Sequence, residues 1–393
     1  MKTRILILFC VLNVVPLLGQ NIVCTNGQKY CLLEEITGAW CQYCPDGSVI
    51  MEQVLINNSR AIGGALHSSD KMQSPDQYYL SGWGGQLTCS APSALINRGN
   101  WNGTYTPCGS DSDTHPNDIK KSYWDQLVNQ QITMTPKWDI TLEQVSYNPL
   151  SRTVTLKITA KSLVLQSGDY NVNIMILEDS VTGPNITGYN QQNAYNTVVN
   201  HPYYGAGNPI IGFVHRHVIR KYLGGVWGTT GVIPANAPLN GTYSYIYTYT
   251  IPNNYDSLTS GSPLTNINHI YFTGMVIKNT SSKYDREIMN CIQTSLDPNF
   301  TGIADENFQN EVRIFPNPFS ASATLQISDS KSFKNIELKI VDLCGREVWR
   351  NYLQVTATGS FETEIEGENL LPGIYFLQVK NDKWETTKKI AIH

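Results

Sequence analysis

Two cysteines separated by two residues form the one stretch of this 393-residue chain that is equipped for covalent chemistry. Cys41 and Cys44 follow Trp40, between an apolar run at residues 30–36 and a segment with apolar residues at helical spacing, residues 48–56. The first run predicts a strand and the second a helix. Unpaired N–H groups and the dipole at a helix start lower the pKa of a nearby thiol, which favours the nucleophilic thiolate. The spacing therefore predicts thiol–disulfide chemistry at Cys41.

Metal binding is the competing chemistry for cysteine and histidine. A zinc site built on CxxC needs a second ligand pair at a suitable spacing, and the sequence has none. His215 and His217 would share one face of a strand and could coordinate a metal together with His201 or His269. Because no third ligand stands at a diagnostic spacing, structural histidines are favoured. We predict no metal and no cofactor.

The N-terminus predicts export. A basic tip is followed by an apolar core over residues 5–12, the pattern of a secretory signal peptide occupying residues 1–19. No later stretch approaches the roughly 20 apolar residues that a membrane-spanning helix needs. We therefore predict an exported protein without a transmembrane segment.

Composition excludes one class of partner. Charged residues make up 15% of the chain, the formal net charge is -4, and there is no block of Lys or Arg. Nucleic-acid binding depends on such positive charge, so we predict no nucleic-acid partner. Abundant tyrosine (22) and glycine (30) are typical of an exported β-rich protein.

Residues 20–136 show a mixed α/β pattern. A buried strand is predicted at residues 61–67, a further strand opened by Pro92 at residues 90–98, and a helix at residues 117–131. The segment is predicted to end near Pro136.

This order of elements resembles the thioredoxin fold, in which a Trp-Cys-x-x-Cys begins a helix and a later proline opens a strand. The resemblance implies that Ala91-Pro92 is a cis peptide beside the cysteine pair. It also implies that Glu35, six residues before Cys41, is a buried acid. Trp40 would flank the site.

Residues 34–45, 91–93 and 97–98 are moreover similar to the Bacteroidetes outer-membrane-protein-28-related family, in which a β-sandwich follows the thioredoxin-like domain. Residues 215–220 resemble a segment of that second domain. The chain agrees, because residues 137–295 alternate apolar and polar residues between turns, the pattern of an antiparallel sandwich. A Gly/Pro/Asn-rich insert at residues 181–209 is predicted to lie on the surface.

Residues 296–311 are polar and predict a linker. Residues 312–393 predict a third, all-β sandwich module and closely resemble the type A sorting domain of the type IX secretion system. The similarity lies in the Pro-Asn-Pro at residues 316–318, an Asp-Leu-x-Gly-Arg at 342–346 and a Leu-Pro-Gly-Ile-Tyr at 371–375. It implies recognition by the type IX secretion machinery and delivery to the cell surface or the medium.

Eight cysteines remain after the signal peptide: Cys24, Cys31, Cys41, Cys44, Cys89, Cys108, Cys291 and Cys344. In an exported chain they favour disulfides, and eight cysteines allow 105 connectivities. A bridge between Cys89 and Cys108 and a bridge between Cys24 and Cys31 are two of the pairings that the sequence allows, and it does not decide between the connectivities. Removal of the sorting domain leaves an odd number, and we predict Cys291 as a free thiol.

Two functions therefore remain open. In the first, the chain is a thiol–disulfide oxidoreductase acting on protein disulfides: exposed Cys41 attacks, buried Cys44 resolves the mixed disulfide, Glu35 exchanges its proton, and Pro92 borders the groove. In the second, the chain is a surface binding or structural protein with a permanent Cys41–Cys44 disulfide.

Overall fold

The computed structural model describes residues 22–80, 87–107, 115–256, 262–300, 310–342, 346–367, 370–381 and 385–392. The predicted signal peptide and most of the predicted linker lie outside these ranges. The chain divides into two compact units, residues 1–302 and 303–393, which we describe separately. None of the helices in the described ranges has the length and apolarity to cross a membrane.

The described residues of the first unit form twelve strands and two α-helices. The strands are β1 (Ile22–Cys24), β2 (Cys31–Thr37), β3 (Ala61–His67), β4 (Ser93–Ile96), β5 (Asp118–Lys120), β6 (Trp138–Asn148), β7 (Thr153–Ser162), β8 (Asp169–Glu178), β9 (Val218–Tyr222), β10 (Thr242–Thr250), β11 (Ile270–Asn279) and β12 (Ile288–Ser295). The helices are α1 (Cys44–Asn57) and α2 (Trp124–Ile132). The strands form a four-stranded sheet, β1-β6-β7-β10, and an eight-stranded sheet, β12-β11-β8-β9-β3-β2-β4-β5.

The middle of the eight-stranded sheet positions the cysteine pair. β2 is buried along its whole length, pairs in parallel with β3 and pairs antiparallel with β4. The parallel pairing requires a crossover, and α1 supplies it. Pro45 in the first turn suits a helix start because it has no N–H to leave unpaired. Both helices pack on one face of the sheet through a cluster that includes Leu33, Met51, Val54, Trp124 and Leu127.

The four-stranded sheet packs on the far half of the long sheet. Alternate residues of β6 and β7 point inward and meet β8, β11 and β12 in one apolar core, which contains Trp138, Leu142, Leu156, Ile174 and Phe272. This face-to-face packing of antiparallel strands agrees with the sandwich predicted for residues 137–295.

The predicted helix at residues 117–131 is wrong in its first third. Asp118–Lys120 is β5, which pairs antiparallel with β4, and α2 begins only at Trp124. Ile119 is buried in the core beneath the helices. Strand pairing at the sheet edge therefore overrides the local helical spacing.

One sheet runs across the predicted boundary between residues 136 and 137. β3 pairs in parallel with β9 at Ala65 and Val218, so the strands on either side of the boundary share a single hydrogen-bonded ladder. The domain limits 20–136 and 137–295 remain a prediction.

The hydrogen bonds of a buried ion pair also link residues from both sides of this boundary. Arg98, at the end of β4, donates from Nε and Nη2 to Glu34 of β2 at 2.7 and 2.6 Å, and both side chains are fully buried. Tyr222 of β9 donates to the same carboxylate at 2.6 Å, and Arg98 Nη1 donates to the carbonyl of Val226 at 2.7 Å. The guanidinium also lies 5.2 Å from the centre of the Tyr222 ring.

The second unit is all β. Its strands are β13 (Asn310–Phe315), β14 (Ser322–Val341), β15 (Glu347–Glu366), β16 (Gly373–Lys380) and β17 (Glu385–Ile392). They form one five-stranded sheet with the order β13-β14-β16-β17, and β15 pairs with β14. Leu325, Leu338, Leu377 and Ile390 are among its buried core residues.

Candidate functional site

The loop between β2 and α1 contains the cysteine pair, which is joined as a disulfide. α1 begins at Cys44, with Tyr43 as its N-cap residue, so Cys41 lies two residues before the cap. Its N–H donates to the carbonyl of Gly38 at 2.9 Å, and its own carbonyl accepts from the N–H of Cys44 at 3.2 Å. Cys41 is therefore held in a tight turn.

Both cysteines are buried in this structure. Cys44 is 1% exposed, as predicted for a resolving cysteine, but Cys41 is only 4% exposed. The attacking role predicted for Cys41 requires an exposed sulfur. The described geometry does not provide one.

Glu35 lies beneath the first turn of α1. A Cβ built on Gly47 would overlap its Oε1 and would lie 2.7 Å from Cβ of Pro92, so the helix, the acid and the proline meet at this glycine. The Ala91-Pro92 peptide is cis. The structure thus brings Glu35 and Pro92 together under the helix that begins at Cys44.

The Glu35 carboxyl is fully buried, and neither oxygen has a hydrogen-bond partner among the described residues. Burial is the main reason that its pKa rises well above the usual range of a glutamate, because desolvation penalises the charged form; Lys121 partly opposes the shift. A buried polar group without a hydrogen bond costs free energy.

Two aromatic residues flank the disulfide on the outside. Trp40 is 51% exposed, and its Nε1 donates to the carbonyl of Ser68 at 2.7 Å. Tyr43 is 53% exposed and contacts the ring of Tyr195 edge-on, with 6.3 Å between ring centres. Trp40 therefore lies at the surface next to the cysteine pair.

The insert at residues 181–209 covers the cysteine loop, and the prediction that it simply lies on the surface is wrong for its central part. Gln192 N–H donates to Ala39 and Ala194 N–H donates to Gln42, each to a carbonyl at 2.8 Å. The buried Gln191 donates from Nε2 to the carbonyl of Cys41 at 2.8 Å. These bonds satisfy polar groups that would otherwise favour solvent, so the segment can be buried. We call residues 189–201 the cover.

The cover is attached to α1 by a polar cluster. Asp46, in the first turn of the helix, contacts Lys121 Nζ at 2.6 Å and His201 Nε2 at 3.2 Å. Tyr195 stacks on His201 with 4.1 Å between ring centres, and Lys121 donates to the Tyr195 hydroxyl at 3.2 Å. An acidic side chain in the first turn also interacts favourably with the helix dipole.

His215 and His217 have separate partners and do not converge on one point. His215 Nε2 lies 2.8 Å from the carbonyl of Tyr189, and burial lowers the pKa of this histidine to about 3. His217 instead pairs with Glu52 at 3.1 Å. They precede β9, and His217 has a positive φ of 53°, which breaks the alternation of a strand. Within the described ranges, no group of three or more His, Cys, Asp or Glu side chains is arranged to hold a metal ion.

The remaining cysteines differ in part from the predicted arrangements. Cys24 and Cys31 are both free, because β1 and β2 belong to different sheets. Cys291 is free as predicted, and it is buried. Cys89 is disulfide-bonded, while Cys108 lies outside the described residues.

Comparison with known families identifies the C-terminal part. Residues 313–393 match the family described as "Secretion system C-terminal sorting domain". This confirms the type IX sorting domain predicted for residues 312–393. The chain is therefore exported to the cell surface or secreted, and its sorting domain interacts with the type IX secretion machinery.

Among solved structures, the chain is similar to HBP35 of Porphyromonas gingivalis, with 16% identity and a TM-score of 0.48, over 93% of this chain and 99% of that one. It is also similar to part of dimeric latent PorU from Porphyromonas gingivalis, with 14% identity and a TM-score of 0.23, over 63% of this chain and 18% of that one. No curated protein matches the chain at a significant level.

Several residues of the site were not identified from the sequence. Gly47 was detectable, because a glycine inside a helix lowers its stability and signals a close approach. Gln191 and Lys121 reach the site from distant positions, and no local pattern marks them; His201 was singled out only as a candidate metal ligand and instead contacts Asp46.

Proposed function

We propose that residues 20–136 form a thioredoxin-like domain and that this exported chain is a thiol–disulfide oxidoreductase acting through Cys41 and Cys44. The strand order β3-β2-β4-β5, the cysteine pair between β2 and α1, and the cis-proline before β4 support the fold. The observation that carries the function is Glu35. A structural disulfide does not need a buried, unpaired acid beneath its helix.

The chemistry runs through two exchanges. The Cys41 thiolate attacks a substrate disulfide, forms a mixed disulfide and releases one substrate thiolate. The Cys44 thiolate then attacks the Cys41 sulfur, which releases the second substrate thiolate and restores the Cys41–Cys44 disulfide. Glu35 takes the proton from the Cys44 thiol, a role for which its raised pKa suits it. The pair must be reduced again by an external dithiol before another turnover.

The cover must move for a protein substrate to reach Cys41. Three hydrogen bonds of 2.8 Å connect it to the loop at Ala39, Cys41 and Gln42, and the Asp46 cluster holds its far end. The resting state is therefore oxidised and closed. A second candidate function, a permanent structural disulfide in a surface binding protein, is favoured by the 4% exposure of Cys41.

Reduction of insulin by dithiothreitol, catalysed by the purified chain, separates these two functions. We expect catalysis by the wild type, none by Cys41→Ser, and faster catalysis by Gln191→Ala, in which the cover loses its bond to Cys41. Glu35→Gln should slow the second exchange and change its pH profile. If neither the wild type nor Gln191→Ala is active, and the disulfide resists dithiothreitol in the folded protein, the disulfide is structural.

A further inference from the structure

One long strand edge of the first unit is open. β10 is the last strand of the four-stranded sheet, and no described strand pairs with its outer side. It pairs with β7 over nine residues without a bulge, and it contains no charged residue and no proline. Natural proteins protect sheet edges with lysine, proline, bulges or short strands. β10 has none of these protections.

The other edges of the two sheets are short or covered. β1 and β5 have three residues each. β12 is overlaid by the segment before β2, because the Asn290 side chain donates to the carbonyls of Gln28 at 3.0 Å and Trp138 at 2.8 Å. Among the described strands of this unit, β10 alone is both long and uncovered.

The sequence of β10 is nearly palindromic about Ile246. Positions equally distant from Ile246 are identical, or differ only as serine and threonine: Tyr245 with Tyr247, Ser244 with Thr248, Tyr243 with Tyr249, and Thr242 with Thr250. The four tyrosines alternate with the hydroxyl-rich residues: Tyr247 is 7% exposed, Tyr243 and Tyr249 pack against the core, and Tyr245 is 38% exposed. Ile246 is 38% exposed and is the only aliphatic residue on the outer, hydroxyl-rich face of the strand.

We propose that β10 pairs antiparallel with β10 of a second copy of this chain, about a two-fold axis through Ile246. An isologous contact requires a self-complementary surface, and the palindrome provides it. Every residue then faces its own kind: the two isoleucines meet on the axis, and tyrosine and threonine pairs follow on both sides. Such pairs stabilise antiparallel strands. The two four-stranded sheets join into a continuous sheet of eight strands.

Charge does not oppose this pairing. The nearest cations on the outer face are on β7, where Lys157 stands opposite Ile246 and Lys161 opposite Thr242. In the dimer, the two Lys157 residues are separated by three strand spacings, about 14 Å. The Debye length at physiological ionic strength is about 8 Å, so their repulsion is largely screened.

The contact is small, and the dimer is therefore weak. A nine-residue antiparallel pair supplies roughly eight to ten interchain hydrogen bonds. Its area lies at the low end of specific interfaces, below about 1,200 Å². The equilibrium is concentration-dependent, and local concentration at a surface favours the paired form.

Cross-linking and sedimentation of the full exported chain test this geometry. In Ile246→Cys, the two new cysteines lie on the axis with Cα atoms about 4.5 to 5.5 Å apart, within the range that a disulfide spans. We expect an interchain disulfide under mild oxidation. In the matched variant Thr242→Cys, the two copies of position 242 are about eight residues, or roughly 27 Å, apart. We expect no cross-link there beyond that of the wild type.

Sedimentation velocity over a concentration series provides the second measurement. The wild type should dimerise at high concentration, and Ile246→Val should behave like it. Ile246→Lys should raise the dissociation constant at least about tenfold, because like charges directly opposite destabilise paired strands. Circular dichroism checks that this variant is folded. A wild type that stays monomeric throughout, a folded Ile246→Lys that dimerises normally, or equal cross-linking of the two cysteine variants would each overturn the proposal.

Discussion

Removing the Arg98 guanidinium is expected to destabilise the first unit strongly. Arg98→Met leaves Glu34 fully buried without its cation, retaining only the hydroxyl of Tyr222 as a hydrogen-bond donor. Breaking a buried pair from one side costs about 3 to 5 kcal/mol.

The expected loss in free energy can be measured by urea unfolding of the purified chain, and the shift in Tm by thermal scans. For units of this size, 1 kcal/mol shifts the Tm by about 2 to 4 °C, so Arg98→Met should lower it by roughly 6 to 20 °C. The double variant Glu34→Gln, Arg98→Met should recover much of the loss, since it leaves no unpaired charge. Arg216→Met is the control. Its pair with Glu52 is 3.4 Å long and Arg216 is about half exposed, so less than about 1 kcal/mol is expected.

The ion pair also bears on how cooperatively the first unit unfolds. Glu34 and Arg98 join β2 to β4, and the hydrogen bond from Tyr222 joins both to β9. Residues 20–136 and 137–295 should therefore unfold in one transition, and Arg98→Met should destabilise them together. An Arg98→Met variant within 1 kcal/mol of the wild type would refute this account of the pair. So would a double variant no more stable than the single one.

Three further predictions concern titration, thiol reactivity and export. Glu35→Gln should raise the Tm more at pH 8 than at pH 4, because a carboxyl with a raised pKa in the folded state loses stability as the pH rises above the unfolded value of about 4.3. Glu52→Gln should instead lower the Tm, and more so at pH 8. The pKa of the Glu52 carboxyl is lowered in the folded state, mainly by its hydrogen bond from His217. In thermal scans at both pH values, equal shifts for the two variants would contradict this. Cys31 and Cys291 should resist iodoacetamide until the protein unfolds. Burial raises the pKa of both thiols, that of Cys291 to about 12. Mass spectrometry after iodoacetamide labelling of the folded protein tests this. Deletion of residues 312–393 should trap the chain in the periplasm, and normal surface delivery in cell fractionation would exclude the sorting role.

Local patterns predicted the elements that carry the cysteine pair. The strand predicted at residues 61–67 has the bounds of β3, and the predicted residues 30–36 nearly coincide with β2. Both are short apolar runs bounded by polar residues, so the pattern is complete within the segment. The sorting domain was recognisable for a related reason, since its motifs lie in three compact stretches.

Long-range contacts could not be predicted in the same way. The strand at Asp118–Lys120 forms because it pairs with the edge of β4, and the first part of the cover packs on the cysteine loop because the N–H groups of Gln192 and Ala194 donate to carbonyls there. The free Cys24 and Cys31 likewise depend on which sheet each strand joins. In each case the segment contacts a partner that is tens of residues away in the sequence. The local sequence pattern of the segment does not identify that partner.

Two adjacent acids in β2 lie one residue apart and have different environments, and in the proposed function only one of them takes part in the exchange. Successive side chains of a strand point to opposite faces, so Glu34 and Glu35 enter different environments. Glu34 faces Arg98 and Tyr222 and has its charge and hydrogen bonds satisfied. Glu35 faces α1 and Pro92, with both oxygens unpaired. Exchanging Glu34 for glutamine together with Arg98→Met should therefore leave disulfide exchange intact. Exchanging Glu35 should stabilise the fold at neutral pH while it slows that exchange.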